Sequence, residues 1–247
     1  MMKLLSYPLS VIYFICFGIT LLVFHGIQWF CFNTFGYKAH KKSVDCMNFF
    51  LMRCLNILGT RFSYNNPHHI PSNLPIIFVC NHQSMTDISP ISWYMRKYHP
   101  KFISKIELGK GIPSVSYNLT HGGSVLIDRK NPRQSIPALI KFGEYIETSK
   151  HAAVIFPEGT RSKDGTPKPF QTKGLDILLK KIPSAIVVPL TINNSWKTQK
   201  YGKFPLGLGA HIILTVHKPL KIDTFVNSEE LINSVETTIK KQITHKN

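Results

Sequence analysis

Acidic residues are scarce in this chain. The 247 residues hold 13 Asp and Glu against 30 Lys and Arg, a formal charge of +17. That shortage favours polyanionic partners and admits anionic lipid headgroups, phosphorylated small molecules and nucleic acid alike. Cysteine is sparse as well. Cys16, Cys31, Cys46, Cys54 and Cys80 all lie in the first third, and none forms a CxxC pair or a Cys/His set with zinc spacing. An odd number of thiols inside apolar runs points to reduced, buried side chains and a reducing setting for the main domain. There is no GxGxxG and no GxxxxGK[ST], which removes the usual dinucleotide and nucleoside-triphosphate readings. Without GxSxG, an acyl-serine hydrolase has no nucleophile elbow. Without a recognisable binding module, nucleic acid is not expected as a partner.

Formal charge is missing altogether between Lys3 and Lys38. As a helix, Leu4 to Phe24 covers roughly 31 Å, about one bilayer core. A cleaved signal peptide needs a small-residue site after its apolar region, whereas here the chain runs on from His25-Gly26 into Ile27-Gln28-Trp29-Phe30. Trp29, Phe30, Phe32, Phe35 and Tyr37, followed by Lys38, Lys41 and Lys42, form an interfacial aromatic belt with basic anchors. The basic excess on that side places the rest of the protein in the cytoplasm, on the inner (cytoplasmic) membrane. Two geometries stay open for residues 4–36: one crossing of the bilayer, or a fold at Gly26 into a hairpin dipping into one leaflet.

Ser43 to Leu58 has the apolar spacing of an amphipathic helix that Gly59 would end. A loop rich in Asn, Pro and His follows. Residues 1–62 are therefore expected to form a membrane anchor with an amphipathic helix, and 63–247 the main domain. In that domain, apolar strands over 75–80, 101–106, 124–128, 152–156, 185–192 and 211–217 alternate with helices near 86–97, 135–149, 172–181 and 228–243. Alternation of this kind predicts an α/β fold, a largely parallel central sheet flanked by helices. Pro137 predicts that its helix starts near Ser135 or kinks there.

Functional groups of open α/β sheets gather at the carboxyl ends of strands. Three polar clusters lie there: His82 to Asp87, Asp128-Arg129-Lys130, and Phe156-Pro157-Glu158-Gly159-Thr160-Arg161-Ser162. On one continuous helix, positions 82 and 87 would point roughly 140° apart, so the two side chains meet only if the chain turns between them. Ser84 and Asp87 also fit a capping box, which would leave His82 an ordinary loop residue. A histidine base beside two arginines suits deprotonation of a hydroxyl on a phosphate-bearing molecule.

In Asn81 to Asp87 (NHQSMTD), Gly123 to Arg129 (GSVLIDR), Phe156 to Ser162 (FPEGTRS) and Val188-Pro189, residues 70–220 resemble the 1-acylglycerol-3-phosphate acyltransferases, the lysophosphatidic acid acyltransferase family. The resemblance implies an α/β enzyme with an N-terminal helical membrane-binding segment. It makes residues 63–247 the acyltransferase domain, His82 the general base and Asp87 its orienting partner. It assigns Glu158, Gly159, Thr160 and Arg161 to acceptor binding, with Arg161 on the phosphate, Arg129 in the same site and Lys105 a further phosphate ligand. Pro189 shapes the site or the acyl tunnel. Pro113, the residues around Ser116-Tyr117, and His217 depart from the family pattern.

The implied reaction moves an acyl group from acyl-CoA or acyl-carrier protein to the sn-2 hydroxyl of lysophosphatidic acid, giving phosphatidic acid. It needs neither cofactor nor metal, and anionic membrane lipids are the further partners. Three rivals remain: the same chemistry on glycerol 3-phosphate, a lysophospholipid or a lyso-ornithine lipid; a non-catalytic binder of anionic lipid; and a lipase, for which Ser84 is the nearest nucleophile.

Overall fold

The computed structural model describes residues 2–243. Helix α1, Met2–Asn56, is long and apolar enough to cross a membrane. It is broken at Gly36, whose φ of 72° and ψ of −163° are not helical. Its two arms lie antiparallel, because contacts climb one arm as they descend the other. Gln28 Nε2 donates to Met47 Sδ at 3.2 Å, the Phe24 and Phe50 rings are 5.7 Å apart, and Thr20 Oγ1 is 3.6 Å from Cys54 Sγ. The chain thus forms a hairpin, and the hinge is Gly36 rather than Gly26. Glycine alone readily takes that backbone conformation, while Gly26 stays helical.

The long arm is amphipathic in an inverted sense. Its polar Ser6, Ser10 and Gln28 are fully buried, whereas Leu4 is 74%, Leu22 63% and Trp29 58% exposed. The buried side is held at two places. The Leu206 amide donates to Ser10 Oγ at 2.8 Å, and Ser114 Oγ donates to the Leu21 carbonyl at 2.6 Å. Ser114 follows Pro113, so a segment that departs from the family pattern is one of the places where the hairpin docks.

Beyond Gly59 come β1 (Arg61–Asn65), β2 (Ile76–Cys80), α2 (Ile88–Tyr94), β3 (Pro100–Lys105), α3 (Val115–His121), β4 (Val125–Ile127) and α4 (Pro132–Ser149). Then follow β5 (Ala152–Ile155), α5 (Thr172–Lys181), β6 (Ile186–Asn193), β7 (His211–Val216), β8 (Leu220–Lys221) and α6 (Ser228–Gln242). The sheet order is β1-β7-β6-β2-β5-β3-β4, with β8 also on β6. All pairs are parallel except β6 with β7 and with β8. β1 opens at Arg61, so the sheet takes in residues on both sides of 62. β1, β8 and α3 have no counterpart in the sequence expectations.

Two cores flank the sheet. Ile76, Phe78 and Cys80 enter one with Ile91 and Met95 of the α2 segment, and Ile77 and Val79 enter the other with side chains of α4, α5 and α6. A strand buried on both faces needs the unbroken apolar run Ile76-Ile77-Phe78-Val79-Cys80. Each of its larger side chains contributes about 2 kcal/mol by leaving water. Helix α4 starts at Pro132 and runs on through Pro137 as one helix, where a start near Ser135 or a kink was expected. Pro132 suits the first turn, where its absent N–H would be unpaired anyway, and Pro137 removes one intrahelical bond. Pro189 fits inside β6 for a related reason: β8 pairs up to Val187 and β7 begins at Leu190, so its missing N–H falls in the seam between them.

Candidate active site

Because β2, β5, β3 and β4 run parallel as neighbours, their carboxyl ends bring His82, the Phe156–Ser162 turn, Lys105 and Arg129 to one rim. After Cys80 the chain leaves the strand, holds Ser84 extended, makes one 3-10 turn over Met85–Asp87 and only then enters α2. This corner brings His82 Nδ1 to 2.8 Å from Asp87 Oδ2. The same oxygen accepts the amides of Gln83 at 2.8 Å and Ser84 at 2.9 Å, while Oδ1 is buried without a hydrogen-bond partner among the described residues. Since a carboxylate only accepts, Nδ1 carries the proton and Nε2 has the lone pair. Ser84 does complete a capping box. The capping geometry and the His82–Asp87 pair therefore share one carboxylate oxygen.

The turn after β5 grips the His82 peptide from both sides. The His82 amide donates to Glu158 Oε1 at 2.9 Å, and the His82 carbonyl accepts from the Ser162 amide at 2.8 Å. Glu158 Oε2 accepts the Lys168 amide at 3.1 Å, so both its oxygens hold backbone. Burial pushes the Glu158 carboxyl above its ordinary value, and the amides of His82 and Lys168 oppose that shift. Phe156 stacks on the His82 imidazole with centroids 4.2 Å apart. Arg129 donates to the Gly159 carbonyl, stitching the end of β4 to the same turn. Gly159 itself sits at φ +69°.

Lys105, Thr160 and Arg161 are exposed on this rim, and among the described residues no hydrogen bond occupies their side chains. Beside Phe156, Arg129 and Gly159 opens a cleft of about 970 Å³, its solvent-filled mouth included, floored by Ile103, Ile127, Leu139 and Ile155. Pro189 is buried in β6 opposite Val79, away from that lining. Ser84 is fully buried, its hydroxyl 3.2 Å from Thr198 Oγ1.

Some supporting residues carry no role in the sequence reading. Asn81 works as an extra ladder rung: its Nδ2 donates to the Ile192 carbonyl and its Oδ1 accepts the Ile192 amide, each at 2.8 Å. An amide side chain at a strand exit, able to mimic a peptide, was the available signal. Phe156 was visible as an aromatic at a strand end, but its stacking partner depends on the pairing of β2 with β5.

Fold and rim together define an α/β protein with a paired histidine and carboxylate set beside the basic side chains of Lys105, Arg129 and Arg161. A family model described as Acyltransferase matches residues 61–193, and the chain belongs to that family. A chloroplastic 1-acyl-sn-glycerol-3-phosphate acyltransferase of Brassica napus is 34% identical over 151 residues, 60% of this chain and 42% of that protein. The 1-acyl-sn-glycerol-3-phosphate acyltransferase of Helicobacter pylori is 38% identical over 125 residues, 49% of each. The chain thus spans about half the length of the curated relatives it matches. The crystal structure of the 1-acyl-sn-glycerophosphate acyltransferase PlsC from Thermotoga maritima shares the fold, with a TM-score of 0.79 and 24% identity over 98% of this chain and 95% of that one.

Proposed function

We propose that the protein is a membrane-associated acyltransferase that moves a fatty acyl group from a thioester donor, acyl-CoA or acyl-carrier protein, to the sn-2 hydroxyl of lysophosphatidic acid. The observation that carries this reading is the 2.8 Å contact between His82 Nδ1 and Asp87 Oδ2. It sits at a rim that also presents Lys105, Arg129 and Arg161. The names of the relatives supply the acceptor.

His82 Nε2 takes the hydroxyl proton as that oxygen attacks the thioester carbonyl. The new carbon–oxygen bond forms, the carbon–sulfur bond breaks, and the thiolate leaves with the proton that His82 returns. Asp87 fixes the tautomer, and Phe156 fixes the plane of the ring. Arg161 and Lys105 hold the acceptor phosphate, turning binding energy into orientation. Arg129 shares this task while bracing Gly159. Glu158 acts on the backbone of His82 and is a positioning residue. The cleft beside Phe156 suits an acyl chain. No cofactor or metal has a step in this scheme. The exposed face of the long arm rests in one leaflet, with the domain on its cytoplasmic side.

The test is turnover by purified protein. Phosphatidic acid should form from lysophosphatidic acid and acyl-CoA or acyl-carrier protein, and faster than the corresponding product from glycerol 3-phosphate, lysophosphatidylcholine or lyso-ornithine lipid. Absence of transfer to any acceptor, with lipid binding intact, overturns the enzymatic reading.

A further inference from the structure

A second polar cluster lies at the opposite end of the sheet, where β3 and β5 begin and the hairpin covers them. Lys101, the second residue of β3, is 5% exposed. Its Nζ donates to the Tyr37 hydroxyl at 2.8 Å and lies 4.7 Å from that ring's centroid. Tyr37 stacks on His99 and His151, whose own rings are 4.6 Å apart. Lys41 binds Asp45 Oδ2 and the Arg96 carbonyl, each at 2.5 Å. His40 is 1% exposed, and among the described residues neither of its ring nitrogens has a hydrogen-bond partner. Tyr37, His40, Lys41, Lys101, Asn118 and Ser124 line a cleft of about 390 Å³, open mouth included.

The charges in this cleft do not balance. Two ammonium groups face one lining carboxylate, Asp45, and Lys41 already engages it. Lys101 is left with a neutral phenol. Burial, with Lys41 nearby, pulls the Lys101 amine down to about 7 against the opposing attraction of Asp45, as expected of an ammonium whose burial outweighs its counter-charge. A neutral imidazole carries one N–H, so His40 adds a donor that nothing accepts. Buried polar groups are normally paired. Cationic and N–H donors from the hairpin and from β3, converging on one cleft with a single lining carboxylate, match a ligand rich in acceptors.

We propose that this cleft binds a tetrahedral oxyanion of the phosphate class, held by Lys101, Lys41 and His40 between the hairpin and the domain. The site is remote from the carboxyl rim that carries His82 and does not depend on acyl transfer. A bound anion ties two hairpin residues to β3 and so fastens the membrane-facing element to the domain. Two sources carry the chemistry: soluble inorganic phosphate, and the headgroup of a phospholipid bordering the hairpin.

The test uses the full chain in dodecyl maltoside micelles, in an Arg161→Ala background that removes the proposed acceptor contact. Thermal unfolding is followed as inorganic phosphate replaces chloride at constant ionic strength, and separately as phosphatidic acid is added to the micelles without phosphate. A ligand of the folded state raises the unfolding temperature with dose. Lys101→Met keeps the length of the side chain and His40→Phe keeps a planar ring, and both remove the nitrogen groups that would bind the anion. Each is expected to weaken the apparent affinity at least tenfold. A response to phosphate assigns the soluble source, and a response to phosphatidic acid alone assigns the headgroup. No response to either, or a response unchanged by both substitutions, overturns the site.

Discussion

His82 Nδ1 meets Asp87 Oδ2 at 2.8 Å, and that one oxygen also accepts the amides of Gln83 and Ser84. A single atom therefore sets both the fold of the corner and the tautomer of His82. His82→Ala removes the base alone and should lower turnover roughly 100- to 10,000-fold, the usual range for general acid–base catalysis, with membrane flotation unchanged. Asp87→Asn should impair turnover severely and also lower stability, because its NH2 either faces the three donors or lies unpaired in the buried place of Oδ1. Steady-state rates read beside unfolding midpoints check the pair. Near-normal transfer by His82→Ala would falsify the mechanism.

Glu158 separates a brace from a ligand. If its carboxylate serves the backbone of His82 and Lys168, Glu158→Gln sets an NH2 against one of the two amides. The expected cost is about 1–3 kcal/mol, seen as a drop of roughly 2–4 °C in Tm per kcal/mol for a chain of this size. Turnover should fall through kcat as His82 drifts. A rise in acceptor KM at unchanged kcat and Tm would place Glu158 on the substrate instead.

Ser84 decides against hydrolysis by a serine nucleophile. Its hydroxyl is buried and engaged with Thr198 Oγ1 and the capping turn. Ser84→Ala should cost about 1 kcal/mol of stability, the ordinary effect of losing a cap, and leave acyl transfer within a few-fold. Loss of all activity in a folded variant would revive the lipase reading.

Most strands of the sheet and the corner at His82 were legible because their signals are local. An unbroken apolar run marks a strand covered on both faces, and the helix from Thr172 to Lys181 falls on its expected residues. The parallel sheet predicted from strand–helix alternation also places the three polar clusters on one rim. What was not legible depends on partners distant in sequence. β1 lacks a clean apolar pattern and exists by pairing with β7. The backbone contacts of Glu158 follow from how β2 and β5 pair, which its own motif does not encode. The hinge at Gly36 was not among the two geometries left open, a single crossing or a fold at Gly26, because the two glycines look alike in sequence.

Lys101 ties stability to pH with a definite sign. Its amine falls from 10.5 to about 7 on folding. Between those values the unfolded chain holds a proton that the folded chain has released, so stability rises with pH across that window. Below about 7 both states are protonated, and the cost of the buried charge is at its full value. Lys101→Met removes the dependence. In phosphate-free buffer its stability relative to wild type should be greatest below 7 and decline as pH approaches 10.5. Chemical-denaturation midpoints across the window provide the check, and a constant difference between the two proteins would show that Lys101 does not titrate there.

Gly36 and Gly26 offer a paired test of the hairpin. Gly36 has φ 72° and ψ −163°, a region essentially confined to glycine. A Cβ at either position meets nothing within 4 Å, so backbone conformation alone separates them. Gly36→Val should strain the turn by about 1–3 kcal/mol and let the arms part. Gly26→Ala, inside a helix, should stabilise the arm by up to about 1 kcal/mol. Spin labels at the exposed Val23 and Phe50, one on each arm, report the outcome. The distance distribution should broaden and lengthen for Gly36→Val and stay narrow for Gly26→Ala. The reverse pattern would move the hinge to Gly26 and return the long arm to a segment that dips into the membrane by itself.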